Sequence, residues 1–286
     1  MRIGAHVPTK GSLVSALDAA LRCGAEAIQV FVSNPRAWAA YSRAWVRADE
    51  FRQRAREEGI GPVFVHTTYL VNVASPTPKF VRKSVEAARS DLEVAEAIGA
   101  AGLVIHAGAG GSTDRSEALA RAATSFNAIA EEARTTKVAI ELTAGGAGSV
   151  AATLPEAREL FDGLGDDPRF ALCLDTCHLF AAGYPLDRPG GAAACFAELK
   201  RLRLASRLVL LHANDAAFPR GSRRDRHTHI GQGHIGERGF AAILRDPAIR
   251  RTAVVVETPG RLEDHARNVA TLRRLAGPTG QRSRAG

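Results

Sequence analysis

Residues 103–142 read LVIHAGAGGSTDRSEALARAATSFNAIAEEARTTKVAIEL. A short apolar run, Leu103 to His106, leads through a Gly-rich turn to a segment with apolar residues at helical spacing, Ser116 to Arg134, and then to a second apolar run, Val138 to Leu142. Short β-branched runs bounded by turn residues mark strands buried on both faces, and strand, helix, strand in that order makes a unit with parallel strands. The same unit repeats outward in both directions. Upstream lie Arg2 to Val7, Ala27 to Val32 and Pro62 to His66; downstream lie Ala171 to Asp175, Leu208 to His212 and Ala253 to Glu257. Helical periodicity recurs at Ser84 to Ile98 and Leu262 to Leu275. Eight runs about 25 to 45 residues apart predict an α/β protein, a single (β/α)8 TIM barrel, rather than an open sheet. The barrel is assigned to residues 1–276, and the Gly-, Arg- and Ser-rich stretch 277–286 to a disordered basic tail.

Composition agrees with this assignment. With 286 residues, 45% hydrophobic and 24% charged, the chain is long enough for a large core and fits neither a disordered nor a membrane protein. No apolar run reaches the roughly 18 residues of a spanning helix, and the opening MRIGAHV lacks the pattern of a leader, so a cytoplasmic protein is expected. Cys23, Cys173, Cys177 and Cys195 read as reduced thiols. The 38 Lys and Arg against 30 Asp and Glu give a net charge of +8, which suits an anionic partner such as nucleic acid. Only five of those basic residues are lysines, however, and a GC-rich coding bias toward Ala, Arg and Gly explains the excess equally well.

In such a barrel the chemistry sits where strands end. The runs close at His6, Ser33-Asn34, His66, His106, Glu141, Asp175, His212 and Glu257, so seven of eight ends are histidine or carboxylate. Any one of them alone reads as a hydrogen-bonded core residue. Brought to one mouth, they would crowd carboxylates into a small cavity without cations, and metal ions resolve that crowding. Imidazole nitrogen and carboxylate oxygen without thiolate suit zinc, manganese or iron. Asp175 and His178 add an acid and an imidazole three residues apart. The segment 212–233, HANDAAFPRGSRRDRHTHIGQG, adds two acids, three histidines and four arginines, too dense a cluster for an ordinary solvated loop.

Three stretches, HTTYLVN at 66–72, CLDTCHLFAAGY at 173–184 and the 212–233 segment, resemble the motifs of endonuclease IV, the zinc-dependent family of AP endonucleases acting on abasic DNA. The resemblance spans all but the tail. It implies three Zn2+ ions per chain, with Mn2+ or Fe2+ admissible at some sites. His66, His106 and Glu141 would hold the first. Glu141 would bridge to a second, completed by Asp175, His212 and Glu257, while His178, Asp225 and His227 would hold the third. It further implies hydrolysis 5′ to the abasic site by a hydroxide shared between the first two ions, with Glu141 and Glu257 as the catalytic carboxylates and no separate general base. Arg36, Tyr69 and Leu70 match residues the family inserts into duplex DNA. The implied partner is double-stranded DNA with abasic sites, bound by a monomer that is nucleoid-associated through DNA.

The chain departs from the family's pattern at Ala107, Leu142, Ala217 and Gln232, where Pro, Asn, Lys and an acid are usual, which puts the support of the ligands and the rate in question. A sugar isomerase or epimerase on the same barrel would share several strand-end ligands but has no use for His178, Asp225, His227 or the Arg36 and Tyr69 wedges. A DNA-binding protein without chemistry would not need the complete ligand set. Trp38 is expected to anchor its loop rather than act as a wedge. His6 is left between a supporting and a packing role, and His229 and His234 are read as loop residues.

Overall fold

Every apolar run forms a strand, in the computed structural model, which describes residues 1–38 and 43–277. The stretch from 278, and with it nearly all of the expected tail, lies outside the described residues. The strands are β1 (Arg2–His6), β2 (Ile28–Phe31), β3 (Val63–His66), β4 (Gly102–His106), β5 (Lys137–Glu141), β6 (Phe170–Asp175) and β7 (Leu208–His212). Two very short strands, β8 (Asp215–Ala216) and β9 (His227–Thr228), pair antiparallel as a separate ribbon, and β10 (Ala253–Val256) completes the barrel. Around the barrel the order is β1-β10-β7-β6-β5-β4-β3-β2, all parallel, with β2 returning to β1. Parallel neighbours need crossover connections, and the helices between strands provide them.

Strand pleating divides the core in two. Phe64, Val104, Ala139, Cys173, Leu210 and Val255 point inward and fill the barrel, while residues such as Val65, Leu103, Ile140 and Leu211 point outward against the helices. Two positions beyond the inward plug, pleating returns the chain to the interior at His66, His106, Glu141, Asp175, His212 and Glu257. Register sets His106 beside Glu141 and Asp175 beside His212. No helix among the described residues is long and apolar enough to cross a membrane.

Two helix boundaries differ from the periodicity. Helix Pro78–Ile98 begins six residues before the expected Ser84, because Pro78 is preset for a first turn. Helix Arg115–Ala130, capped by the Asp114 carboxylate accepting from Ser116 N at 2.8 Å, stops short of Arg134. There the Glu96 side chain accepts from the backbone N–H groups of Arg134, Thr135 and Thr136 at 2.7, 2.9 and 3.0 Å, and draws the chain out of the helix.

The barrel interior is tight enough to demand glycine at one strand position. A Cβ at Gly4 would lie 1.6 Å from the Ala27 carbonyl oxygen, whereas one at Gly146 would meet nothing within 4 Å. Gly4→Ala is expected to cost about 1–3 kcal/mol or more in a urea denaturation series, and Gly146→Ala to stay within about 0.5 kcal/mol of wild type. Equal midpoints for the two variants would contradict the packing described.

Candidate metal centre

All nine residues singled out in the sequence converge at the C-terminal mouth of the barrel. One ligand atom each from His66, His106 and Glu141 lie within 4.8 Å of one another; so do those of Glu141, Asp175, His212 and Glu257, and those of His178, Asp225 and His227. Glu141 belongs to two groups. The mouth encloses a cavity of about 290 Å³ lined by seven of the nine, all but Asp175 and His212, together with Tyr69, Arg226 and Pro259. Cys173 and Cys177 also approach the groups, but burial above all pushes both thiols up to about 12, so neither competes as a thiolate.

Local structure aims each donor. Asp175 ends β6 and caps helix Thr176–Ala182: its Oδ1 accepts from Cys177 N at 2.6 Å and His178 N at 3.1 Å. The transition read as strand to loop is therefore strand to helix, and one turn carries His178 over the mouth. Asp175 Oδ2 accepts from Asn214 Nδ2 at 2.7 Å, and Asn214 Oδ1 accepts from Glu257 N at 2.7 Å, so one amide ties the ends of β6 and β10.

Backbone carbonyls select the imidazole tautomers. Nδ1–H of His66 donates to Thr67 O at 2.7 Å, that of His178 to Leu142 O at 2.8 Å, and that of His227 to Glu257 O at 3.3 Å. In each neutral ring the Nε2 lone pair then faces the cavity. His66 Nε2 lies 3.2 Å and His106 Nε2 3.5 Å from Glu141 Oε2. His178 Nε2 lies 3.2 Å from Asp225 Oδ2, and His227 Nε2 3.1 Å from Asp225 Oδ1. These last two nitrogens are buried and, despite the short distances, make no hydrogen bond of acceptable geometry. Lone pairs facing carboxylate oxygens need a proton or a cation between them, and a nitrogen-and-oxygen set of this kind fits a divalent ion such as zinc.

Glutamine 29 is the residue that sequence reasoning missed. Its Oε1 accepts from His212 Nε2 at 2.9 Å, which turns His212 Nδ1 toward Glu141 Oε1 and Glu257 Oε2, both at 3.2 Å. Its Nε2 donates to Glu257 Oε1 at 2.5 Å and to His6 Nδ1 at 2.9 Å. A wholly buried polar residue at an inward strand position was the available signal. The sequence pattern places that strand's end at Ser33-Asn34; β2 instead stops at Phe31, and Ser33 Oγ donates to the buried carboxylate of Asp91 at 3.2 Å. His6 supports the group from outside, with Nδ1 3.2 Å from Glu257 Oε1.

The acids are held ionised. Burial raises Glu141, but the charges of His212 and His106 outweigh it and bring its carboxyl well below the usual range. Asp225 is likewise held well below that range, where His178 and His227 overcome desolvation. Desolvation lowers His227, yet Asp175 and Asp225 carry it up to about 9. Without metal, protons on these rings offset the buried negative charge.

At the rim, Tyr69 is 60% and Leu70 39% exposed, and Arg36 is exposed on the neighbouring loop. Tyr69 N and Thr68 Oγ1 both donate to Pro35 O, at 3.1 and 2.9 Å, and tie the two loops together. Trp38 packs against the core with Lys83 Nζ 5.9 Å from its ring, an anchor as expected. Ala107 contributes its backbone N–H to Glu141 O at 2.9 Å, a donor that proline at this position could not supply, and Leu142 its carbonyl to His178, a contact independent of its side chain.

A family model described as xylose isomerase-like TIM barrel matches residues 17–275. The curated protein "Probable endonuclease 4" of Streptomyces avermitilis is 40% identical over 278 residues, covering 96% of this chain and 89% of that protein. The chain belongs to the endonuclease IV family. The crystal structure of endonuclease IV from Thermus thermophilus superposes with a TM-score of 0.85 at 30% identity, over 96% of this chain and 98% of that one. A D-tagatose 3-epimerase-like protein superposes at 0.74 with 19% identity, again over 96% of this chain and with 97% of the other covered, and that likeness concerns the fold alone.

Chelated protein of this endonuclease IV family member has a defined pH response. The folded value of His227, about 9, lies above the 6.5 of an exposed imidazole, so its contribution to stability is complete below pH 6.5 and is lost as pH rises through 9. The thermal midpoint in excess EDTA is expected to fall over that interval. A midpoint that stays level or climbs would show that the imidazole is not paired with Asp175 and Asp225.

Proposed function

We propose that this protein is a zinc-dependent DNA repair endonuclease that hydrolyses the phosphodiester 5′ to an abasic site in duplex DNA, leaving a 3′-hydroxyl and a 5′-deoxyribose phosphate. The observation that carries this reading is the set of three imidazole–carboxylate groups around one cavity, in a chain of the endonuclease IV family. Cations held by His66, His106 and Glu141, by Glu141, Asp175, His212 and Glu257, and by His178, Asp225 and His227 would supply Lewis acidity and water that ionises near neutral pH. A third group, on His178, Asp225 and His227, favours phosphodiester chemistry over a sugar isomerase.

The chain's own residues do the rest. Glu141, wholly buried between two groups, and Glu257, steered by Gln29, His6 and Asn214, orient the reacting centre. Thr67, Leu142 and Glu257 carbonyls keep the imidazoles from turning. Arg226 lines the cavity and offers its guanidinium to a phosphate oxygen. A cavity of about 290 Å³ is far too small for a duplex, so a nucleotide must rotate out of the stack, and a site already lacking its base does so at least cost. Exposed Tyr69 and Leu70 would fill the vacated space, with Arg36 on the linked loop gripping the strand. The net charge of +8 supports phosphate contact, and with it salt-sensitive binding.

Incision of a duplex with one central abasic site, in EDTA and after zinc is restored, tests the whole reading. Cleavage immediately 5′ to the site that returns with zinc, and none of undamaged duplex, is the expected result; zinc-loaded protein that leaves the abasic strand intact refutes it. Glu257→Gln is expected to abolish cleavage while abasic-duplex binding is retained. Tyr69→Ala is expected to keep incision but to lose about 1–3 kcal/mol of preference for abasic over intact duplex in competition binding, the value of one stacking contact.

A further inference from the structure

Asp215, just after β7, and the Gly-Gln-Gly that closes segment 212–233 have no part in the chemistry above, yet the structure joins them. Asp215 is wholly buried and receives five backbone N–H groups. Its Oδ1 accepts from Ala216 at 2.8 Å and Ile235 at 2.9 Å; its Oδ2 accepts from Gly231 at 2.9 Å, Gly233 at 3.0 Å and Gly236 at 3.2 Å. All but the Ala216 donor come from a turn 16 to 21 residues further along the chain. Glycines are required there: Gly231 and Gly236 have φ of 84° and 70°, and a Cβ at Gly233 would lie 2.5 Å from both Asp215 Oδ1 and Ala216 O. A ring of converging amides around one carboxylate is an anion nest, here filled by the protein's own side chain.

We infer that Asp215 is a positioning residue for the third metal-binding group, an inference resting on the three-ion reading above. The segment between Asp215 and the glycine turn carries Asp225 and His227. The ribbon sets Ala216 opposite His227 and Asp215 opposite Thr228, and Ala217 N donates to Arg226 O at 3.0 Å. The far end of the segment leans on the helix that bears His178, through Gly221 N to Phe180 O and Arg223 N to Ala181 O, both at 3.0 Å. The carboxylate of Asp215 closes the base of this excursion, so that Asp225 and His227 are presented to His178 as a formed group. Asp215 belongs to none of the three groups and acts through the backbone.

The experiment compares wild type, Asp215→Asn and Gly233→Ala for bound zinc per chain at fixed free zinc, by elemental analysis after dialysis, with abasic-duplex incision alongside. Asp215→Asn keeps the shape and one accepting oxygen but replaces the other with an NH2 group, which only donates, against backbone N–H groups. Gly233→Ala disturbs the same contact without touching the charge, and carries the test if the first variant does not fold. Each variant is expected to hold about two ions where wild type holds three, to lose about 10- to 100-fold in kcat with a smaller change in KM, and to recover both ion and rate as free zinc is raised, because the donors remain and only their arrangement is weakened. Recovery by zinc separates positioning from general destabilisation. Variants that keep three ions and the wild-type kcat overturn the inference and leave the nuclease reading standing, as does a loss that added zinc does not restore. A wild type that binds no zinc, or binds it without incising, overturns the nuclease reading and the inference with it.

Discussion

Alternation along a buried parallel strand is the constraint on which the rest depends. A strand inside a closed barrel turns every second side chain to the interior, so the residue two places beyond a plug position must also point inward, now at the open end. Phe64 is followed in this way by His66, Val104 by His106, Ala139 by Glu141, Cys173 by Asp175, Leu210 by His212 and Val255 by Glu257. An apolar plug beneath and polar donors above are thus one pattern, and the plug keeps the floor of the site dry.

Concentrating so many ionisable groups carries a cost that the structure meets by pairing. Glu141, Asp175 and His212 have no exposed surface, and unpaired charges there would be worth far more in water. Each is met by a neighbour of opposite character or by an amide: histidines around Glu141, Asn214 and backbone N–H groups around Asp175, Gln29 beside His212. The protons that the rings carry without metal are what a cation would displace, which makes binding of metal and loss of protons a single exchange.

Support of the imidazoles comes mostly from main-chain carbonyls. The Leu142 carbonyl, which holds His178, is one of them, and it is available whatever side chain stands at that position. The barrel, whose fold is shared with epimerase-like structures at 19% identity, supplies the mouth; the ribbon-bearing segment after β7 and the paired loops at Pro35 and Tyr69 complete this site.

The eight strands, their parallel closure and the six strand-end donors were legible because each depends on a period of two, a length or a residue type within a few positions of itself, whereas the grouping of His178, Asp225 and His227 rested on the family resemblance. Helix ends were less so: Glu96 stops a helix from 38 residues away, and no periodicity near Arg134 announces it. By itself the sequence determined the barrel and the chemical character of its mouth, since burial of alternate residues is a local rule applied eight times. Only the tertiary structure decided that Gln29 reaches His212 across 183 residues and Glu257 across 228, that His6 supports rather than joins the donors, and that Asp215 is spent on a turn of glycines. Those partners are chosen by which strands become neighbours when the sheet closes, and a hydrogen bond made only on closure leaves no spacing to read beforehand.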